Sequence, residues 1–391
     1  MWQFLKLGLT SFGGPVAHLG YFRQSLIEKR QWMRDKEYAQ LVAICQFLPG
    51  PASSQVGFAL GIKRAGWLGG FFAFFCFTLP SAAFLILFAR AIPNLPNDLQ
   101  VGLINTLKLV AIIVVFQAVF GMWRSICIDV RAKVIAVVSC GVLLFASFGA
   151  VHLIVLAAAA IAGIGVLHAP DQKQHDPSAQ VLDFNISKTV GVVCLALFIA
   201  LLVLSIVLVS TAGSPVISDV FFGFYETGAL IFGGGHVVLP MLQQTVVASG
   251  WLGEETFIVG YGAAQAVPGP LFTIAAFLGH EISSAYAPLL VALIATIAIF
   301  LPGFLLLLGV LPFWQILNQY PIVANAIVGL NAGVVGLLAA TLINPIVLTG
   351  VQSTADIVFA IVLCLCAVAL KLSILKILLA CFAYGAIILL L

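Results

Sequence analysis

The chain has 391 residues, of which 62% are hydrophobic and only 8% charged, with a formal net charge of +3. A soluble domain carries about a quarter charged residues, so a water-soluble fold is excluded and the bilayer is the expected solvent. Thirteen of the seventeen Lys and Arg lie between Lys6 and Lys133, with no basic stripe on a soluble domain, so no nucleic-acid partner is expected. The eight cysteines form no Cys-x-x-Cys and no Cys/His cluster of metal-ligand spacing. They read as packing residues, and neither a metal nor a cofactor is expected.

A bilayer core takes about 20 apolar residues per helix, and thirteen apolar segments are predicted. The first, roughly 4–22, holds Lys6, His18 and a break at Phe12-Gly13-Gly14-Pro15, which argues against a cleavable signal peptide. A basic connection follows, with Arg23, Lys29, Arg30, Arg34 and Lys36 against Glu28, Asp35 and Glu37. Segment 38–61 contains Gln46 and Pro49-Gly50-Pro51, and Lys63-Arg64 lead into segment 66–89. Segments 100–123, with Lys108, 134–150 and 152–167 complete an N-terminal half, 1–167. The polar stretch 168–188 reads as a linker, and 189–212 as a central connecting helix. The C-terminal half, 219–391, opens with segment 219–242, which holds Glu226 and Phe232-Gly233-Gly234-Gly235-His236. An acidic connection with Glu254 and Glu255 leads to 256–279, which holds Gln265 and Pro268-Gly269-Pro270. Segments 286–311, 322–343, 357–370 and 372–391 follow.

The halves repeat one another. Phe4, Gly8, Phe12, Gly13 and Gly14 match Phe224, Gly228, Phe232, Gly233 and Gly234 at an offset of 220. Trp32, Gln46, Pro49, Gly50, Pro51 and Phe58 match Trp251, Gln265, Pro268, Gly269, Pro270 and Phe277 at an offset of 219, and Leu79-Pro80 matches Leu301-Pro302. The shared residues are mostly Gly, Pro and aromatics, so backbone geometry is what repeats. Repeats of this kind are a mark of transporters, and inverted ones are common.

Charge argues for inversion. Cytoplasmic loops are enriched in Lys and Arg. The first connection is basic and its partner acidic, which places them on opposite sides. One topology satisfies the charges throughout, in which the two motif segments of each half dip in and return on the same side. It has four broken or re-entrant hairpins and nine crossings, with the N-terminus and linker cytoplasmic and the C-terminus outside. The expected fold is therefore an all-α polytopic membrane protein of two inverted-topology repeats, each with two broken hairpins plus spanning helices. A parallel arrangement, with the first segment of each half spanning, ranks lower.

The Pro-Gly-Pro triplets must break their helices, because Pro removes a donor and clashes with the preceding turn. Broken backbone at membrane depth is tolerated where it is buried in protein or lines a cavity. New half-helices are expected at Ala52-Ser53-Ser54 and Leu271-Phe272-Thr273, with Pro51 and Pro270 suited to the first helical position. Their unpaired N–H groups and positive dipole ends make an anion site, beside which Gln46 and Gln265 can donate. Packing kinks are the alternative reading. The expected substrate contacts are Gly13, Gly14, His18, Gln46, Pro49, Gly50, Pro51, Ser53 and Ser54, with Gly233, Gly234, His236, Gln265, Pro268, Gly269, Pro270 and Thr273. Intramembrane ionisable residues are functional suspects by default. Glu226 and His236 are candidates to carry a proton, and Lys6, His18 or Lys108 to offset substrate charge. Arg23 sits where it could attract anions, or simply set topology. Snorkelling is the competing reading for Lys6 and Lys108.

These residues carry a resemblance to the chromate ion transporter family. It lies in Phe12-Gly13-Gly14-Pro15 with His18-Leu19-Gly20, in Trp32, in Gln46-Phe47-Leu48-Pro49-Gly50-Pro51, and in the second-half counterparts through Pro268-Gly269-Pro270. It covers nearly the whole chain, as a long two-domain member, and departs at Gly235 and the acidic connection. The resemblance implies export of chromate across a bacterial inner membrane, resistance to it, and coupling to the proton-motive force. Long members are thought to have oppositely oriented halves. The expected partners are the oxyanion and the bilayer, with a homodimer left open. A sulfate or related oxyanion transporter and a passive anion channel remain alternatives. An enzyme is not expected, since Glu226 has no second intramembrane carboxylate near it in sequence, and no Gly-Lys-Ser/Thr loop marks an ATPase.

Overall fold

The computed structural model describes residues 1–146, 151–166, 184, 186–208, 215–232, 235–314 and 321–390. Among these the chain is helical, with no strand. Most of the linker 168–188 therefore lies outside the described residues. Phe184 is buried in the N-terminal core, with the Lys63 ammonium 5.8 Å from its ring centre.

The first apolar segment is two short helices, α1 (Trp2–Thr10) and α2 (Gly14–Phe22), parted at Gly13 with φ 104°. A π-turn, Arg23–Glu28, ends it. Helix α3 (Asp35–Phe47) begins where the Glu37 carboxylate accepts from the Arg34 N–H and guanidinium. The same guanidinium holds the Glu37 carboxyl below its usual range. Helix α4 (Ala52–Ala91) is too long for one crossing and is not one rod. It folds back at Ala65 and Gly66, the latter at φ 64°. Gly61 and Gly69 face each other across the fold, so its limbs pack backbone to backbone. Helices α5 (Asn97–Ile126), α6 (Val130–Phe145) and α7 (Val151–Val166) finish the first half.

Helix α8 (Lys188–Leu208) has no counterpart among the described residues. The order then repeats as α9 (Ile217–Leu230), α10 (Val238–Leu242), a π-turn at Gln243–Val247 and α11 (Glu254–Ala266). Helices α12 (Ile274–Glu281) and α13 (Pro288–Val310) correspond to the limbs of α4. Helices α14 (Pro321–Thr341), α15 (Thr354–Ala369) and α16 (Ile374–Leu390) correspond to α5, α6 and α7. The π-turn at Arg23–Glu28 recurs in place at Gln243–Val247.

The halves are interleaved. α14 of the second half packs on α6 and α7 of the first, and α15 and α16 pack on α5. Glycines permit the approach: a Cβ on Gly163 would stand 2.7 Å from Gly329 Cα, and one on Gly336 would strike the Ala136 carbonyl. These six helices form a swapped bundle. The other helices form a second bundle around the motif segments, where α1 packs on α4 at Gly8 and α9 packs on α13 at Gly228. Stacking of Phe58 on Phe304, at 4.5 Å, joins its halves.

Candidate functional site

Both Pro-Gly-Pro breaks are held by the opposite half. The Gly50 N–H donates to the Ile231 carbonyl at 2.8 Å, and the Gly269 N–H donates to the Ser11 carbonyl at 2.9 Å. Ser11 and Ile231 are themselves equivalent, each directly preceding a Phe-Gly-Gly. Both glycines adopt left-handed backbone, at φ 111° and 108°, where a side chain is strained. A Cβ on Gly50 would lie 3.0 Å from Gly303 Cα, and one on Gly269 would lie 2.8 Å from Ser81 Oγ. Gly303 and Ser81 each follow the in-helix proline, Pro302 or Pro80, of the opposite half. Pro15 and Gly235, equivalent positions, meet each other: a Cβ on Gly235 would be 2.7 Å from Pro15 Cγ. Reciprocal contacts plus one self-contact are the signature of a two-fold relation. The departure at Gly235 has a steric cause, because two prolines would collide there.

The triplets do break their helices. Pro51 and Pro270 stand one residue earlier than expected, as the N-cap rather than the first helical residue. Their ψ angles, 85° and 131°, are not yet helical. Neither start has a side-chain cap, so the first-turn N–H groups keep their positive end. The Ser54 and Ser11 hydroxyls are buried and bond to no protein group. The Thr273 hydroxyl donates to the Pro270 carbonyl at 2.7 Å. Gln55 braces the first break, its amide donating to the Pro49 carbonyl at 3.1 Å and the Gly303 carbonyl at 2.8 Å.

His18 lies fully buried between these parts. Its Nε2 is 3.2 Å from the Ser11 carbonyl, and its Nδ1 is 3.4 Å from Ser53 Oγ. A carbonyl only accepts, so Nε2 carries the proton and, in the neutral ring, Nδ1 accepts from the serine. Phe77 meets the ring edge-on at 5.4 Å. Position 238, the counterpart of His18, is Val, so this bridge exists in one half only.

The other expected site residues differ in burial and partners. Gln46 is exposed on α3, whereas Gln265 is buried on α11 beside the Tyr261 hydroxyl. Gly13, at the α1–α2 break, is exposed, and Gly14 has φ 75°. Lys6 is exposed and Glu226 half-buried. Arg23 makes a two-toothed pair with Asp35, both bonds 2.9 Å. Lys108 is paired with Glu255 at 2.5 Å. Gly233, Gly234 and the His236 side chain lie outside the described residues.

The carbonyls of Ser11 and Ile231 were not among the expected site groups. Neither was Gln55. Backbone acceptors have no residue signature, although the repeat offset links Ser11 to Ile231. Gln55 has Ile274 as its counterpart and so carries no repeat signal.

An all-helical polytopic membrane protein, repeated internally and joined at paired helix breaks, is the class this fold and centre define. The chain belongs to the chromate transporter family, whose model matches residues 1–164 and 218–386. It is 29% identical to a chromate transport protein of Pseudomonas aeruginosa over 350 residues, 88% of this chain and 79% of the relative. It is 27% identical to a probable chromate transport protein of Synechococcus elongatus, covering 90% of this chain and 84% of the relative. A chromate transport protein of Cupriavidus metallidurans is 27% identical over 87% of this chain and 80% of its own length. No solved structure matches.

Proposed function

We propose that the chain is a secondary active transporter that exports chromate from the cytoplasm by alternating access, driven by the proton-motive force. The dianion is held at the half-helix starts after Pro51 and Pro270. The observation that carries this reading is the reciprocal pair of bonds, Gly50 to Ile231 and Gly269 to Ser11. They bring both breaks to one pseudo-two-fold centre within a mostly apolar chain. Uncapped N–H groups attract an oxyanion, and the buried Ser54 and Ser11 hydroxyls add donors. His18 supplies a proton-bearing group within the same network. The names of the relatives support chromate as the substrate. The basic first connection and its acidic counterpart support inverted halves in a bacterial inner membrane, with the N-terminus inside and the C-terminus outside.

Uptake of labelled chromate into inverted vesicles tests the reading. Saturable uptake, abolished by an uncoupler, is expected. Robust sulfate uptake without chromate uptake would reassign the substrate, and non-saturating, purely voltage-driven flux would make the protein a channel.

A further inference from the structure

The centre is symmetric, but what covers it is not. Of the swapped bundle, α5 packs along α11, and α14 touches α10 and the turn 235–237. No comparable packing joins α5 or α14 to α1, α2 or α3 among the described residues. Equivalent positions record the difference. Ile258, Gly262 and Gln265 form a buried face of α11, while their counterparts Ala39, Ala43 and Gln46 are exposed on α3. Tyr21 is 39% exposed and its counterpart Met241 3%. The covered face is built for close approach, since a Cβ on Gly262 would strike the Leu107 carbonyl of α5. Ala43, in the matching place, is nearly as small.

One charge pair ties the covered side. Lys108 of α5 has a 5% exposed side chain and reaches Glu255, 65% exposed, at the start of α11. The positions equivalent to this pair hold no such partners. Lys36 stands at the position of Glu255. Asn105 and Asn325 align α5 with α14 at an offset of 220, which puts Val328 at the position of Lys108. The symmetric docking would therefore set Val328 near Lys36, with no ion pair.

We propose that Lys108–Glu255 is a latch, and that this structure is one of two end states. In the other, the latch opens, α5 leaves α11, and the swapped bundle covers the Ala39–Ala43–Gln46 face through α14. The two-fold relation supplies the reason. If two halves share one backbone plan, a contact made by one is available to the other, and exchanging them inverts which side of the centre is open. The latch makes the two states unequal, and the structure holds the latched one. The inference rests on the alternating-access reading above.

The test uses the full chain with its native cysteines replaced, in liposomes. Lys108→Cys and Glu255→Cys are introduced together and bridged by a short, cleavable bifunctional thiol reagent. Bridging should stop chromate flux, and cleavage should restore it. Undiminished flux in the bridged protein overturns the proposal, because α5 and α11 then need not part. Separately, Ala43→Cys is placed as the sole cysteine and labelled with a membrane-impermeant maleimide. Labelling should slow several-fold when Glu255→Gln is added, as the bundle spends time on α3. Equal labelling with and without Glu255→Gln overturns the proposal, whether lipid or a second copy covers the face. The labelling arm needs no transport. If no form moves chromate yet labelling slows as expected, the transport reading fails and the two-state latch stands.

Discussion

Pro15 and Gly235 occupy equivalent places in the two halves and touch each other. One ring fits between the half-helices there, and two do not. Gly235→Pro should therefore sharply reduce folded protein in the membrane, whereas Pro15→Gly with Gly235→Pro, which moves the ring to the other half, should restore most of it. Detergent-extracted yield and gel-filtration profile check this. A normal profile for Gly235→Pro alone would refute the contact.

Gly50 and Gly269 combine positive φ with a crowded neighbour. Replacing either with Ala should cost about 1–3 kcal/mol from backbone strain alone. The Gly269 variant adds a clash with the Ser81 hydroxyl. Ser81→Gly should recover that steric part and leave the strain. Thermal unfolding in detergent should show Gly269→Ala well below wild type, with the double variant between them.

His18 ties the Ser11 carbonyl to Ser53. His18→Phe keeps the ring contact with Phe77 but leaves the Ser53 hydroxyl without its acceptor, at a cost of about 1–3 kcal/mol. Chromate uptake should fall far more than membrane yield, and His18→Gln, which keeps a donor, should retain more uptake than His18→Phe. Equal uptake in His18→Phe and wild type would reduce His18 to packing.

Lys108 is the buried partner of its pair. Glu255→Gln strands that ammonium and should destabilise the protein more than Lys108→Met does. For a fully buried pair such a break costs about 3–5 kcal/mol, and less is expected here because Glu255 is largely exposed. Combining Lys108→Met with Glu255→Gln should return stability towards wild type, measured as a thermal midpoint.

Ser25 and Ser249 lie in the first connection of each half. With inverted halves, single cysteines there should label from opposite faces of the membrane, Ser25→Cys from the cytoplasm. Labelling of both from one face would make the halves parallel.

Much of the architecture is legible in the sequence. A chain this apolar has to be membrane-embedded, because burying that surface in water-soluble form is impossible at this length. Pro49-Gly50-Pro51 and Pro268-Gly269-Pro270 have to break helices, because proline removes a backbone donor wherever it stands. Those are local properties of the residues, and pattern alone reveals them. The partners of the breaks are of another kind. Ser11 and Ile231 act through main-chain carbonyls, and Gln55 reaches Gly303 across 248 positions of sequence. The break between segments 38–61 and 66–89 is legible in Lys63-Arg64, and α4 folds back beside it at Ala65 and Gly66, but the packing of Gly61 on Gly69 is visible only once the limbs meet. Lys108 looks like a free intramembrane cation until Glu255 is found against it. The sequence by itself determined a bilayer-embedded helical chain of two repeated, broken-helix halves. Only the tertiary structure decided that the halves are interleaved, and that each break is held by the other half and covered on one side. Helix breaks follow from covalent geometry, whereas the choice of partner depends on which distant surfaces fit.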